Sequence, residues 1–239
     1  MVLGKRFFLA AACFALLTSC DGTSGGTSGG GGGGGTPASK AWGTAALLEL
    51  SSQPGGSPAV AADPDLNGSG DGAATAVWVQ SDGLQDSIYA TRYNSVTNAW
   101  SAPVTIEDES TGGFAGGAYS PRVAMNKYGQ AAVVWGYTDG ASNYRVWSNR
   151  YDNSAWQAAI LTSSASGNAN SPQVSFDASG DAVFSIWAQY QFGSTQFNYR
   201  ILQRQYLYFR CSDPLLVYPD CSVVDPTLLG WRAISMIDS

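Results

Sequence analysis

The residues best placed to do chemistry gather in one loop. Asp63-Pro64-Asp65-Leu66-Asn67-Gly68-Ser69-Gly70-Asp71 puts oxygen-bearing side chains at alternate positions, with glycine at the sixth. Carboxylate, amide and carbonyl oxygens on a tightly turning loop suit a hard cation such as Ca2+. The competing reading is a hairpin turn, because Asn, Gly and Asp favour turns on backbone grounds alone. An EF-hand would carry Glu at the twelfth position, and Ala74 stands there. Other chemistry is sparse. The chain has no histidine, which excludes Ser-His-Asp and Cys-His catalysis and His-ligated zinc, iron or copper. Its acidic residues fall mostly in turns, and nothing pairs two of them at the ~5–9 Å that glycoside hydrolysis uses.

The elements that must position this loop form a repeat. Ser120-Pro-Arg-Val-Ala-Met-Asn126 leads through a tight turn to Ala131-Ala-Val-Val-Trp135. Ser57-Pro-Ala-Val-Ala-Ala-Asp63 leads likewise to Ala73–Trp78, and Ser171-Pro-Gln-Val-Ser-Phe-Asp177 to Ala182–Trp187. An alternating third strand follows (87–93, 144–151), then a fourth that opens on Ala-Trp (99–106, 155–161). Pro121 and Pro172 are 51 residues apart, and Pro58 and Pro121 are 63 apart because the first unit has longer loops. Four short strands in about 50 residues form the blade of a β-propeller. The expected fold is therefore all-β: a partial or incomplete β-propeller of about three four-stranded antiparallel blades. Trp42, Trp78, Trp100, Trp135, Trp156 and Trp187 recur at fixed places, which makes them core filling between blades. Arg92 and Arg150 share one repeat position and are expected to be structural.

Propellers have at least about four blades, so three explanations compete: a truncated copy of a longer propeller, two chains pairing into six blades as a homodimer, or an open twisted array. Ala41–Leu48 looks like a fourth strand that would complete the last blade. The third unit shows no fourth-strand Ala-Trp, and residues 207–239 match no unit. That tail is either a disrupted or truncated stretch or a cap pinned by a Cys211–Cys221 disulfide, which an oxidising compartment permits.

Upstream of the repeats (39–206), Lys5-Arg6 and the apolar run Phe7–Leu17 form a secretory signal over residues 1–19. Leu17-Thr-Ser-Cys20 resembles the lipobox of bacterial lipoproteins. That resemblance implies that Cys20 becomes the acylated first residue of the mature chain, carrying fatty acids such as palmitate and anchoring the domain to a membrane of the cell envelope, facing the periplasm or the outside. Several acyl chains anchor stably where one is marginal. Residues 20–38 continue as a Gly/Ser-rich linker that cannot bury apolar area, and it reaches roughly 20–25 Å. The formal charge of −6 becomes −8 once Lys5 and Arg6 leave. An acidic chain lacks the basic footprint that nucleic acid requires.

Further resemblances bear on function. Residues 63–71 resemble the calcium loops of integrin-type propeller blades, which implies side-chain ligation by Asp63, Asp65, Asn67 and Asp71 and by the Ser69 carbonyl. Ser175, Asp177, Gly180 and Trp187 resemble the Asp-box of sialidases, with an extra residue before the glycine and the Trp displaced. Sialidases also use an arginine cluster, for which Arg92, Arg122, Arg145, Arg150 and Arg200 are the material. Over 41–200 the repeat Pro-x-Val-Ala-x-Asp/Asn-x-x-Gly-x-Ala-x-x-Val-Trp resembles a group of bacterial lipoproteins, implying a six-bladed propeller and no established activity. The expected function is a tethered, non-enzymatic binding or scaffold module for a protein or glycan. The alternatives are a sialidase-like glycan-active enzyme and a propeller remnant without function.

Overall fold

The computed structural model describes residues 44–49, 53–64, 73–107, 116–138, 143–152, 154–190, 199–207, 230–231 and 233–236. The chain divides after Ala45. Of the first unit only Thr44 and Ala45 are described, both exposed and without regular structure. The second unit is all-β among the described residues, built as three antiparallel sheets in chain order.

The first sheet contains β1 (Gly55–Ala62), β2 (Ala74–Ser81), β3 (Asp86–Asn94), β4 (Ala99–Trp100) and β5 (Val104–Thr105). The second contains β6 (Gly117–Met125), β7 (Ala131–Thr138), β8 (Tyr144–Asp152), β9 (Ala155–Trp156) and β10 (Ile160–Leu161). The third contains β11 (Ala169–Phe176), β12 (Ala182–Tyr190), β13 (Tyr199–Leu207), β14 (Gly230–Trp231) and β15 (Ser235–Met236). Each sheet is a meander of three long strands whose third strand pairs with two short pieces. These two pieces are one fourth strand with a one-residue slip. Trp100 pairs with Tyr93 and Trp156 with Tyr151, yet four residues on Val104 pairs with Ala90 and Ile160 with Ser148.

The third sheet corrects one expectation. Its fourth strand exists, and the tail supplies it. Trp231 pairs with Tyr206 and Ser235 with Gln203, which repeats the slip of the other two sheets. The signal was Trp231-Arg-Ala233, the Trp-x-Ala of Trp100-Ser-Ala102 and Trp156-Gln-Ala158. It was hidden because 22 residues lie between β13 and β14, against four between β3 and β4 and two between β8 and β9. Of the segment Ala41–Leu48, expected to complete the last blade, residues 41–43 lie outside the described residues and 44–48 carry no strand. Ala46–Glu49 instead line a hollow with Trp78 of β2.

The repeated Ser-Pro has a physical role. Ser57, Ser120 and Ser171 have φ of 50°, 51° and 54°, and at each of them the first strand slips register against the second. A left-handed residue followed by proline, which donates no N–H, makes a bulge and bends the strand. The bent first strands carry the contacts between sheets: β6 packs along β1, β2 and β3, and β11 along β6, β7 and β8. Val77, Ile88 and Ala90 of the first sheet thereby join Val133, Trp135 and Tyr137 of the second in one core. Val146 of the second sheet joins Trp187 and Leu202 of the third. The uninterrupted apolar run of β7 is buried on both faces, as its lack of alternation requires.

Candidate binding surface

The turns between first and second strands gather at one end of the array. In each, the residue that closes the first strand is Asp or Asn, and its N–H donates to a carbonyl across the turn: Asp63 to Ala73 at 2.8 Å, Asn126 to Gln130 at 3.1 Å and Asp177 to Ala182 at 3.0 Å. The side chains cap the turns as well. Asn126 Oδ1 accepts from the N–H groups of Tyr128 and Gln130. Asp177 Oδ1 accepts from Ala182 N–H at 3.0 Å, and Oδ2 from the Ser179 hydroxyl at 2.6 Å. Burial pushes the Asp177 carboxyl up. The hydrogen bonds from Ser179, Ala182, Gly180 and Asp181 outweigh it and hold the group below the usual aspartate value.

Of the five residues expected to ligate calcium, Asp63 alone lies among those described. It occupies the repeat position where Asn126 and Asp177 act as turn caps. Asp65, Asn67, Ser69 and Asp71 lie outside the described residues, as do Cys20, Cys211 and Cys221. Among the described residues no group of three or more potential ligands from His, Cys, Asp and Glu is close enough to hold a metal ion.

The arginines are dispersed. Arg92 and Arg150 each reach across to the next sheet, with their guanidinium carbons 3.9 Å above the rings of Tyr151 and Tyr206. Arg92 also donates to Thr75 Oγ1 at 2.8 Å and to the Gly129 carbonyl at 2.7 Å. Arg145 donates to the carbonyls of Tyr144 and Gly167, and Arg122 to that of Pro121. Of the Asp-box candidates, Asp177 and Gly180 form the β11–β12 turn. Trp187 is buried further along β12, where its indole N–H donates to Gln189 Oε1 at 2.9 Å.

Two hollows open beside the turns. One, of about 640 Å³, lies where the ends of β1, β6 and β11 meet and is lined by Pro64, Met125, Lys127, Phe176 and Asp177 among others. The second, of about 550 Å³, lies between the first two sheets and exposes Tyr93, Trp100, Tyr128, Gln130 and Asp152. Gln130 Nε2 donates to Asp152 Oδ1 at 2.8 Å, which orients both groups. Each hollow has one carboxylate among its described lining, with aromatic or amide groups around it. The sequence marked neither Gln130 nor Asp152, since neither position recurs in every unit. Their signal is that departure from the repeat.

No family model matches the chain, and neither a curated protein nor a solved structure does so.

Proposed function

We propose that this protein is a non-catalytic binding or scaffold module built as three blades of a β-propeller and tethered to a membrane of the bacterial cell envelope through an acylated Cys20. The observation that carries the reading is the use of the reactive groups. Arg92 and Arg150, the indoles of Trp135 and Trp187 and the capping side chains Asn126 and Asp177 are engaged in sheet-to-sheet joints and turns, and the described lining of the two hollows adds aromatic faces, amides and one carboxylate each, that of the first being Asp177 itself. Such a lining suits recognition of a protein loop or a neutral glycan. Among the described residues that line the hollows there is one carboxylate in each, where a glycosidase uses two, and no cluster of arginines. Strands packed on a neighbour's first strand, with a repeated fourth-strand slip, support the propeller geometry.

The test is to offer the purified chain chromogenic glycosides, sialosides included, beside a set of immobilised envelope glycans. Binding without turnover supports the proposal, and turnover abolished by Asp177→Asn or Asp152→Asn would sink it. For the anchor, labelled palmitate should enter the wild-type chain and not Cys20→Ser. For the 63–71 loop we propose calcium held by Asp63, Asp65, Asn67 and Asp71 with the Ser69 carbonyl. Calcium should then raise the thermal midpoint relative to a chelator, and Asp65→Asn with Asp71→Asn should remove that difference.

A further inference from the structure

The two ends of the array expose what its two internal joints bury. Val77, Val134 and Ile186 each precede the second-strand Trp of their sheet. Ile88, Val146 and Ile201 each pair with the residue that follows it. In the first two sheets these positions are 0 % exposed, because the next sheet covers them. In the third sheet Ile186 is 37 % exposed and Ile201 39 %. The opposite face of the first sheet shows the same contrast. Pro121 and Pro172 are buried and Val123 and Val174 half-buried, while Pro58 is exposed and Val60 is 68 % exposed.

The two open faces match each other. By strand alternation the third sheet's far face presents Phe184, Ile186 and Ala188 from β12 and Ile201, Gln203 and Gln205 from β13. The first sheet's near face presents Val60 from β1 and Ala74, Ala76 and Trp78 from β2. Neither set includes a charged side chain, although both belong to end sheets; Glu49 lies beside the second set with its carboxylate accepting from the Gly55 N–H, and Trp78 there is already buried. In the internal joints an apolar far face receives a Trp from the next sheet, Trp135 or Trp187. Trp78 holds that place on the near face.

We propose that a second copy of this chain docks head to tail, the far face of the third sheet of one copy packing on the near face of the first sheet of the other. A head-to-tail joint closes into a ring when its rotation permits and propagates when it does not. The pairing follows from register and burial, independently of what the hollows bind. Two departures make it weaker than the internal joints. Gln205 stands where Arg92 and Arg150 stack on a tyrosine. Thr91 donates to its own sheet's Ser101 carbonyl, where Asn149 and Arg204 reach back to Ile106 and Leu161 of the preceding sheet. Ala46–Glu49 already lie beside Pro58 and Trp78, leaving Val60 as the open part of the near face.

The test is the mass in solution, by light scattering over a dilution series, of the full chain carrying Cys20→Ser to prevent acylation. The expected mass is that of two chains. Val60→Glu and Ile201→Glu should each return it to one chain while preserving the β-sheet circular dichroism, since both side chains are exposed; Ile201→Ser is a milder second variant. Mixing the two Glu variants should restore pairing through the one joint whose faces are both unaltered. A larger mass that both variants abolish also upholds the joint, with more copies. A single-chain mass for the parent at every concentration would overturn it. So would a pairing lost in Ile201→Glu and intact in Val60→Glu, which marks a face packed on its own copy.

Discussion

The guanidinium of Arg92 lies 3.9 Å over the ring of Tyr151, one sheet further on, and the same contact recurs between Arg150 and Tyr206. Each pair joins the third strand of one sheet to the third strand of the next, so the stack is part of the repeat itself. A half-buried cation over an aromatic ring contributes about 0.5–2 kcal/mol, and the hydrogen bond from Arg92 to Gly129 adds to it. Arg92→Ala should therefore lower stability by about 1–3 kcal/mol in urea unfolding. Arg92→Lys should recover only a minor part, since an ammonium loses both the planar stack and the forked donors. Equal stability of Arg92→Ala and the parent would refute the structural role.

Trp187 is the buried centre of the joint between the second and third sheets, and its indole N–H meets Gln189, whose amide in turn donates to the Ser166 carbonyl. Trp187→Phe keeps most of the apolar contact and leaves the Gln189 oxygen without that donor. The expected loss is about 1–3 kcal/mol. Trp187→Ala should lose about 3–5 kcal/mol. Trp78 forms the same pair with Gln80 at 3.1 Å, so the ordering of the two substitutions should hold there too.

Gly180 has a φ of 79°, and a Cβ there would stand 3.1 Å from the Asn126 Cβ and 3.2 Å from the Tyr128 ring. Gly180→Ala should cost about 1–3 kcal/mol through backbone strain and this contact together. At Ser120, φ is 51°, in the left-handed region that glycine tolerates best. Ser120→Gly should be close to neutral there, whereas the β-branched Ser120→Val should cost about 1–2 kcal/mol. Thermal midpoints of the three variants give the comparison.

Acid should weaken the β11–β12 turn. The Asp177 carboxyl is held below its ordinary 3.8 in the folded chain. A depressed value means that its stabilisation is present above the unfolded value and is lost as pH falls through the folded one. Urea midpoints of the parent and Asp177→Asn should differ most at neutral pH and converge below about pH 4. A difference that persists unchanged into strong acid would show that the carboxylate charge is not what the turn uses.

Alkali should act at Tyr119, whose hydroxyl is buried without a hydrogen-bond partner among the described residues. Burial, with the nearby Tyr144, pushes its pKa up to about 12. A raised value stabilises below the unfolded value near 10 and is lost as pH rises from there to about 12. Tyr119→Phe should be neutral or mildly stabilising at pH 7 and should flatten the decline above pH 10, read from unfolding midpoints against pH.

How much of this was legible in the sequence differs from element to element, for physical reasons. Alternation with a period of two is a property of the strand backbone, so the long strands could be read from residue types alone, as could the buried run of β7. Ser-Pro at the bulges, glycine at the turns and the recurrent Trp are local requirements of the same kind. The absence of histidine removed whole classes of chemistry before any fold was known. The fourth strand of the third sheet was not legible, because strand pairing tolerates an insertion of any length while a period read along the chain does not. The placement of Arg92 on Tyr151, the pairing of Gln130 with Asp152 and the open faces around Val60 and Ile201 were decided by the tertiary structure alone. They depend on which sheet packs against which, and on the bend that each bulged first strand imposes. Those relations join residues far apart in the chain, where no local periodicity operates.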